Sequence, residues 1–203
     1  MTRTLGVMGG TFNPIHYGHL LAAQEARIEF ALDEVLFIPN RTPPHKMNDP
    51  EIADAEARYL MTCLATVSNP YFRVSRLEVD KPSVSYTSET IETLHALHPE
   101  AEISFITGAD GLIQYEWHDF DNLLEMLTRF IVVTRPGSSP EDLDRRCREF
   151  NTRHMQKIKF LKIPGLDISS TDIRGRLREG RPITYLVPEE VERYLYKSQL
   201  YTR

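Results

Sequence analysis

Apolar positions along the chain fall into short runs, separated by polar, glycine-rich or proline-rich breaks, and the runs alternate between two periods. Leu5-Gly6-Val7-Met8 is short and apolar enough for a buried strand, closed by Gly9-Gly10. From His19 to Ala31 the composition turns helical, with Leu20, Leu21, Ala23, Ala26 and Ile28 as inward candidates. Glu34 to Pro39 then reads as a second strand. Strand, helix and strand in this order predict a βαβ unit with parallel strands. After a polar loop with Pro43, Pro44, Asn48 and Pro50, Ala53 to Val67 resumes helical patterning. Phe72 to Val79 alternates as a strand would, and Thr87-Ser88 offers the N-cap of a helix reaching His98.

Ile103 to Ile106 and Phe130 to Val133 are further strand patterns, ending at Thr107-Gly108 and Thr134-Arg135-Pro136-Gly137. Ser139-Pro140-Glu141 opens a helix with a cap, a proline at the first position and an acid in the first turn. Lys159 to Ile163 is the last strand pattern, and helices from Ser170 to Arg178 and from Pro188 to Gln199 close the chain. The expected fold is α/β: a Rossmann-like, doubly wound parallel sheet in one domain over residues 1–203. Residues 165–203 would form a small helical C-terminal part. In such sheets ligands bind beyond the carboxyl ends of the strands, so the residues just after each strand carry the functional question.

Charge changes this picture in one respect. Lys and Arg number 24 against 29 Asp and Glu, a net charge of −5, so no broad basic field exists to hold a nucleic-acid backbone. Any phosphate must be met locally, by a few placed groups. Cys63 and Cys147 are too few for a disulfide framework or a thiolate metal cage, which favours a reducing cytoplasm. The apolar run near the N-terminus is too short for a signal peptide or a membrane span. Homo-oligomer formation is left open.

Directly after the first strand comes Gly9-Gly10-Thr11-Phe12-Asn13-Pro14-Ile15-His16-Tyr17-Gly18-His19. The two leading glycines would permit left-handed turns and a close approach of backbone to phosphate. His16 and His19 lie three apart where a helix opens, with Gly18 leaving room beside them. Imidazoles there can donate to a triphosphate, nearby negative charge favouring the protonated form. Spacing alone is weak, since His95 and His98 repeat it on what reads as an ordinary solvated helix face. A zinc site at His16 and His19 lacks a third ligand at motif spacing.

After the last strand comes Pro164-Gly165-Leu166-Asp167-Ile168-Ser169-Ser170-Thr171-Asp172-Ile173-Arg174. Ser169 with Asp172 fits a capping box, and hydroxyls at a helix N-terminus with an arginine one turn in also suit a polyphosphate. The two loops converge only if their strands are neighbours, and a Rossmann-like sheet is expected to make them so. Neither a Walker A sequence nor a Gly-x-Gly-x-x-Gly after the first strand is present, which disfavours a P-loop kinase or an ordinary dehydrogenase.

Together these stretches resemble the two signatures of the nucleotidylyltransferase superfamily, Gly-Gly/Ser-Thr/Ser-Phe-Asp/Asn-Pro-x-His-x-Gly-His and Ile-Ser-Ser-Thr-x-Ile-Arg. Asn13 stands where many members carry Asp. The first is also similar to the His-Ile-Gly-His of class I aminoacyl-tRNA synthetases, from which Tyr17 departs. Four further stretches are Pro43-Pro44-His45-Lys46, Gly108-Ala109-Asp110 with Trp117 after it, Thr134-Arg135-Pro136-Gly137, and Tyr185-Leu186-Val187-Pro188. These resemble the bacterial nicotinate-nucleotide adenylyltransferases, and the likeness runs from Gly9 to Tyr201.

The resemblance implies transfer of AMP from ATP to nicotinate mononucleotide in NAD biosynthesis. His16, His19 and Arg174 would be catalytic. Gly9, Gly10, Thr11, Phe12, Gly108, Asp110, Ile168, Ser169, Ser170 and Thr171 would complete the ATP site with them. Lys46, Thr87, Trp117, His118 and Arg135 would serve the pyridine nucleotide, Lys46 close to the phosphates. Mg²⁺ would arrive with ATP, on phosphate oxygens and water, because no carboxylate cluster suggests a dedicated site. Read from the residues alone, Asp110 could serve a ribose hydroxyl or merely end a strand, and Trp117 could stack on a planar ring or belong to the core.

Overall fold

The computed structural model describes residues 2–41, 49–82, 84–135, 139–150 and 153–202. Among these, the strands are β1 Thr4–Gly10, β2 Glu34–Pro39, β3 Phe72–Val74, β4 Glu102–Gly108, β5 Arg129–Thr134 and β6 Ile158–Lys162. The helices are α1 Tyr17–Glu29, α2 Ala55–Thr66, α3 Thr87–Leu97, α4 Ala109–Gln114, α5 Phe120–Met126, α6 Pro140–Glu149, α7 Ser170–Arg178 and α8 Glu189–Ser198. The strands form one sheet in the order β3-β2-β1-β4-β5-β6. The pairs β1–β4, β4–β5 and β5–β6 are parallel, with Val7 opposite Phe105 and Ile131 opposite Lys159. This is the doubly wound order, and its direction of winding reverses between β1 and β4. The expected fold class is the one observed.

Chain contacts group the residues into two compact units, 1–9 with 22–36 and 86–165, and 10–21 with 37–85 and 166–203. The first holds the sheet centre. Leu5, Val7, Ile103, Ile106, Phe130, Ile131 and Val132 are all buried, and such unbroken apolar runs mark parallel strands covered on both faces. In the second unit, α2 packs against β3 and α8, turning Met61, Thr62 and Ala65 inward.

Helix ends follow local chemistry where a side chain can reach. Ser139 Oγ accepts from the Asp142 N–H at 3.1 Å, with Pro140 at the start of α6. Ser169 Oγ accepts from the Asp172 N–H at 3.1 Å, but the other half of the expected capping box is missing, because Asp172 binds Arg176 Nε at 2.7 Å. The cap expected at Thr87-Ser88 is also absent. Tyr86 is the N-cap of α3 and makes no side-chain cap bond, leaving Thr87 as the first helical residue.

Elsewhere tertiary contacts override the pattern. β3 ends at Val74 because the next residues turn: Asp80 N–H bonds Arg76 O at 2.9 Å, and Ser75 Oγ accepts from Leu77 N–H at 3.1 Å. The short helices α4 and α5 had no counterpart in the sequence reading. Glycines do not supply the left-handed backbone expected at Gly9-Gly10; in that loop Phe12, with φ of 47°, does. His95 is not a purely solvated surface group either, since its Nε2 lies 3.0 Å from Met126 O.

A methyl group at Gly6 would lie 2.8 Å from Leu32 Cδ1, 3.1 Å from Ile106 Cδ1 and 3.2 Å from Val35 Cγ2. Overpacking of that kind costs about 1–3 kcal/mol, more than the roughly 0.4–1 kcal/mol gained by stiffening the unfolded chain. Gly6→Ala is therefore expected to lower the urea midpoint by a net destabilisation of up to about 2 kcal/mol. A midpoint equal to or above that of the unsubstituted protein would mean that this part of the core yields freely.

Candidate active site

The loop between β1 and α1 is buried although it is irregular: Phe12, Asn13, Ile15 and His16 are each at most 6% exposed. Its first carbonyls point one way. Gly10 O accepts from the Asn40 N–H at 3.0 Å, and Thr11 O accepts from Arg58 Nη1 at 2.7 Å. In a trans peptide the C=O and the following N–H point in opposite directions. The N–H groups of Thr11 and Phe12 are therefore turned to the side away from Asn40 and Arg58. Phe12 takes its left-handed backbone with its ring wedged between Phe37, at 5.9 Å, and the edge of His19, at 5.2 Å. For a bulky residue that conformation costs roughly 1–2 kcal/mol, which the surrounding packing must over-determine.

His16 and His19 are stacked, ring centroids 3.7 Å apart and planes 27° apart. His19 Nδ1 accepts from the His16 backbone N–H at 3.3 Å. A ring that accepts at Nδ1 carries its proton at Nε2 and donates from there. Gly18 does leave room as expected, because a Cβ there would stand 3.0 Å from both Cε1 and Nδ1 of His16.

The loop before α7 meets this first loop directly. Ser170 Oγ donates to Pro14 O at 2.9 Å, and Arg174 Nη1 donates to Asn13 O at 3.1 Å. Arg174 Nη2 reaches Glu51 Oε2 at 3.0 Å, while its buried Nε has no hydrogen-bond partner among the described residues. Glu51 also accepts from Arg178. The convergence does not come from neighbouring strands, as expected: β6 is the sheet edge, with β5 and β4 between it and β1. Instead residues 163–169, without regular structure, bring the chain from β6 to α7. Ile168 is buried, and Thr171 is exposed.

Three groups that sequence reasoning passed over hold this meeting point. Asn13 donates from Nδ2 to Glu51 O at 2.9 Å, and its Oδ1 accepts from Ala53 N–H at 3.0 Å and from Tyr201 OH at 2.5 Å. Burial pushes the Tyr201 phenol well above its usual range, so it remains a donor. Arg58 is the third, and here a signal existed: it shares its helix face with Met61, Thr62 and Ala65, a cation on the inward stripe.

The remaining site candidates sit in the first unit. Gly108 ends β4, and no heavy atom among the described residues, its two chain neighbours aside, lies within 4 Å of where a Cβ would stand. Asp110 is exposed and faces Arg135 at 3.4 Å. Trp117 packs on Phe105, Phe120 and Phe130 at 5.0–5.8 Å, and its Nε1 donates to Gly111 O at 3.2 Å, so much of the ring belongs to the core. His118 tilts on Tyr86 at 4.7 Å, beside Thr87 at the start of α3. Gly9, at the end of β1, is in ordinary contact with Phe105 at 3.5 Å. Lys46 lies outside the described residues, as do Pro43, Pro44 and His45.

Comparison with known proteins places the chain in a family. The Cytidylyltransferase-like family matches residues 7–176. A Moorella thermoacetica protein described as "Probable nicotinate-nucleotide adenylyltransferase" is 48% identical over 97% of this chain and 91% of its own length. A Thermoanaerobacter protein of the same description is 45% identical over 98% and 94%. The chain belongs to the nicotinate-nucleotide adenylyltransferase family. Its fold is also that of the Plasmodium falciparum nicotinic acid mononucleotide adenylyltransferase, solved with NaAD, at a TM-score of 0.76 and 20% identity over 98% and 97% of the two chains. No helix among the described residues is long and apolar enough to cross a membrane.

Within this family member, Glu51 offers a direct test of the junction. Hydrogen bonds from Arg178 first and Arg174 second hold its carboxyl below the ordinary value of 4.5. The folded state then binds that proton less readily than the unfolded chain, so the pairing stabilises the protein above the ordinary value and is lost as pH falls through the depressed one. Glu51→Gln should melt below the unsubstituted protein at neutral pH, and the gap should close as pH falls below 4.5 and through the depressed value. Thermal melts across that range that keep a constant gap would place the stabilisation elsewhere.

Proposed function

We propose that the chain transfers the adenylyl group of ATP to nicotinate mononucleotide, giving nicotinate adenine dinucleotide and pyrophosphate as a cytoplasmic step of NAD biosynthesis. The observation that carries this reading is the seating of α7 on the first loop. Ser170 and Arg174 bond the carbonyls of Pro14 and Asn13, beside the stacked pair His16 and His19.

An oxygen of the acceptor's 5′-phosphate attacks the α-phosphorus of ATP, and the bond from that phosphorus to the β-phosphate oxygen breaks. A phosphate nucleophile is already ionised near neutral pH, so the site needs no strong general base. Catalysis rests on positioning and on charge accepted by fixed donors. His19 donates from Nε2, His16 lies against it, and Arg174 supplies the charge of its guanidinium. The outward N–H groups of Thr11 and Phe12, with Gly9, Gly10 and the turn Ile168-Ser169-Ser170-Thr171, complete the phosphate cradle. Open space beside Gly108 suits the nucleoside, with Asp110 for a ribose hydroxyl. Mg²⁺ would accompany ATP, held on phosphate oxygens and water, and would offset charge on the departing pyrophosphate.

Thr87, Trp117, the backbone at His118 and Arg135 are assigned to the pyridine nucleotide, with Lys46 near the phosphates. As the first residue of α3, Thr87 offers an N–H with no intrahelical partner, which suits a carboxylate. A carboxamide would turn its own N–H₂ toward such donors, at about 1–3 kcal/mol for each buried group left unpaired.

Incubation with ATP, Mg²⁺ and nicotinate mononucleotide should give dinucleotide and pyrophosphate together, and ATP hydrolysis without dinucleotide would overturn the reading. kcat/KM should favour nicotinate over nicotinamide mononucleotide by about tenfold or more. Equal values would mean that the pyridine pocket is misassigned. His19→Ala should lower kcat by roughly 10²–10³-fold with little change in stability, the usual loss of one placed donor. His98→Ala, at the end of α3, should retain near-normal turnover, and equal rates in the two variants would remove His19 from catalysis.

A further inference from the structure

Arg58 is the largest side chain with no solvent exposure, and no carboxylate among the described residues accepts from it. Its planar fork is spent on oxygens of neutral groups. Nε donates to Ala53 O at 2.9 Å, and Nη2 donates to Arg41 O at 2.7 Å. Nη1 donates to Thr11 O at 2.7 Å and to Asn40 Oδ1 at 3.2 Å. Burial lowers its pKa, the mark of a desolvated cation. Burying a charge unpaired is costly, and a core-filling role would be met better by Met or Leu of similar reach. The side chain is therefore retained for what its donors orient.

What they orient is the front of the phosphate loop. Asn40 is the second clamp: its N–H takes Gly10 O at 3.0 Å, and its Nδ2 lies 3.4 Å from Thr11 Oγ1. Arg58 fixes the Asn40 side chain through Oδ1 and fixes the next peptide through Thr11 O. With both carbonyls drawn to this side, the Thr11 and Phe12 N–H groups face the other way, and Phe12 is held at its positive φ. We infer that Arg58 is a positioning residue for adenylyl transfer: its buried fork sets the Thr11-Phe12 peptide so that the loop presents backbone donors to a polyphosphate.

The inference rests on the adenylyl-transfer reading, so its experiment carries a probe that is independent of turnover. Arg58→Lys keeps the charge and loses the fork; Arg58→Met loses both. Thr62→Val is the control: Thr62 is buried in the same helix, and its Oγ1 donates to Arg58 O at 2.8 Å. All are compared below their melting temperatures, by kcat/KM for ATP and by calorimetric binding of inorganic pyrophosphate. kcat/KM is expected to fall about a hundredfold or more in Arg58→Met, the usual loss of one placed donor to developing negative charge, and about tenfold in Arg58→Lys, which keeps the charge. Pyrophosphate affinity should weaken tenfold or more with the stoichiometry still near one, whereas partial unfolding would lower the stoichiometry and leave the affinity alone. Thr62→Val should melt lower yet stay within about threefold of the unsubstituted protein in both readouts.

Arg58→Lys within threefold of the unsubstituted protein would overturn the inference, as would losses in Thr62→Val that track its stability in the same way. If Arg58→Met does not fold, Arg58→Lys decides alone. Failure of the unsubstituted protein to form dinucleotide would count against the adenylyl-transfer reading, and the pyrophosphate titration would still test Arg58.

Discussion

A buried loop without regular structure has carbonyl groups that no helix or ladder satisfies, and each must find a donor elsewhere or cost free energy comparable to a lost hydrogen bond. The segment from Gly10 to His16 is such a loop, and its surroundings are arranged around that need. Gly10 O takes the Asn40 N–H, Thr11 O takes Arg58, Asn13 O takes Arg174 and Pro14 O takes Ser170. His16 O takes the first free N–H groups of α1, from His19 and Leu20. The donors come from the end of β2, from α2, from α7 and from α1. Meeting the needs of one loop thus assembles these elements around it, and the same bonds set which way the loop's own N–H groups face.

That requirement explains how the two signature loops meet when β1 and β6 are not neighbours. Sheet topology alone would keep them apart, with β4 and β5 between. The irregular stretch after β6 delivers α7, whose first turn brings Ser170 and whose second brings Arg174 to adjacent carbonyls, Pro14 and Asn13. Asn13 closes the arrangement. Its amide both donates and accepts, which lets one side chain tie Glu51, Ala53 and Tyr201 together. A carboxylate at that position could accept from Ala53 and Tyr201 but could not donate to Glu51 O.

Much of the fold was legible because its signals are local. Continuous apolar runs announced β1, β4 and β5, and serine caps announced α6 and α7. The site was legible as two loops because glycine, histidine and hydroxyl residues cluster there at fixed spacing. The donors that hold those loops were not legible, because backbone carbonyls leave no trace in a sequence. Nothing in Ser170 or Arg174 says that part of their hydrogen-bonding is spent on Pro14 O and Asn13 O rather than reserved for a ligand. Short elements were missed for a related reason: Asp119 enters α5 in a left-handed conformation without a side-chain cap bond, so no capping signal marks its start. Trp117 shows the limit from the other side, since one indole can line a cleft and complete an aromatic cluster at once.

Electrostatics then decides how a protein of net charge −5 can attract a polyphosphate at all. A net negative charge gives no long-range steering of an anion, and several surface cations are already paired; Arg76, for example, is shared between Glu56 and Asp80. The charges that matter are those withdrawn from water, where screening is weak. Arg174 is only 11% exposed, keeps one buried N–H without a partner among the described residues, and shares Glu51 with Arg178 rather than owning it. Arg58 has no carboxylate hydrogen-bond partner among them; carbonyl dipoles and the charge of Asp54 offset part of its field on the inner side of the Thr11 peptide. On the proposed function, an incoming phosphate would meet a cradle whose positive character was fixed at folding, and it would not need to reorganise the loop to use it.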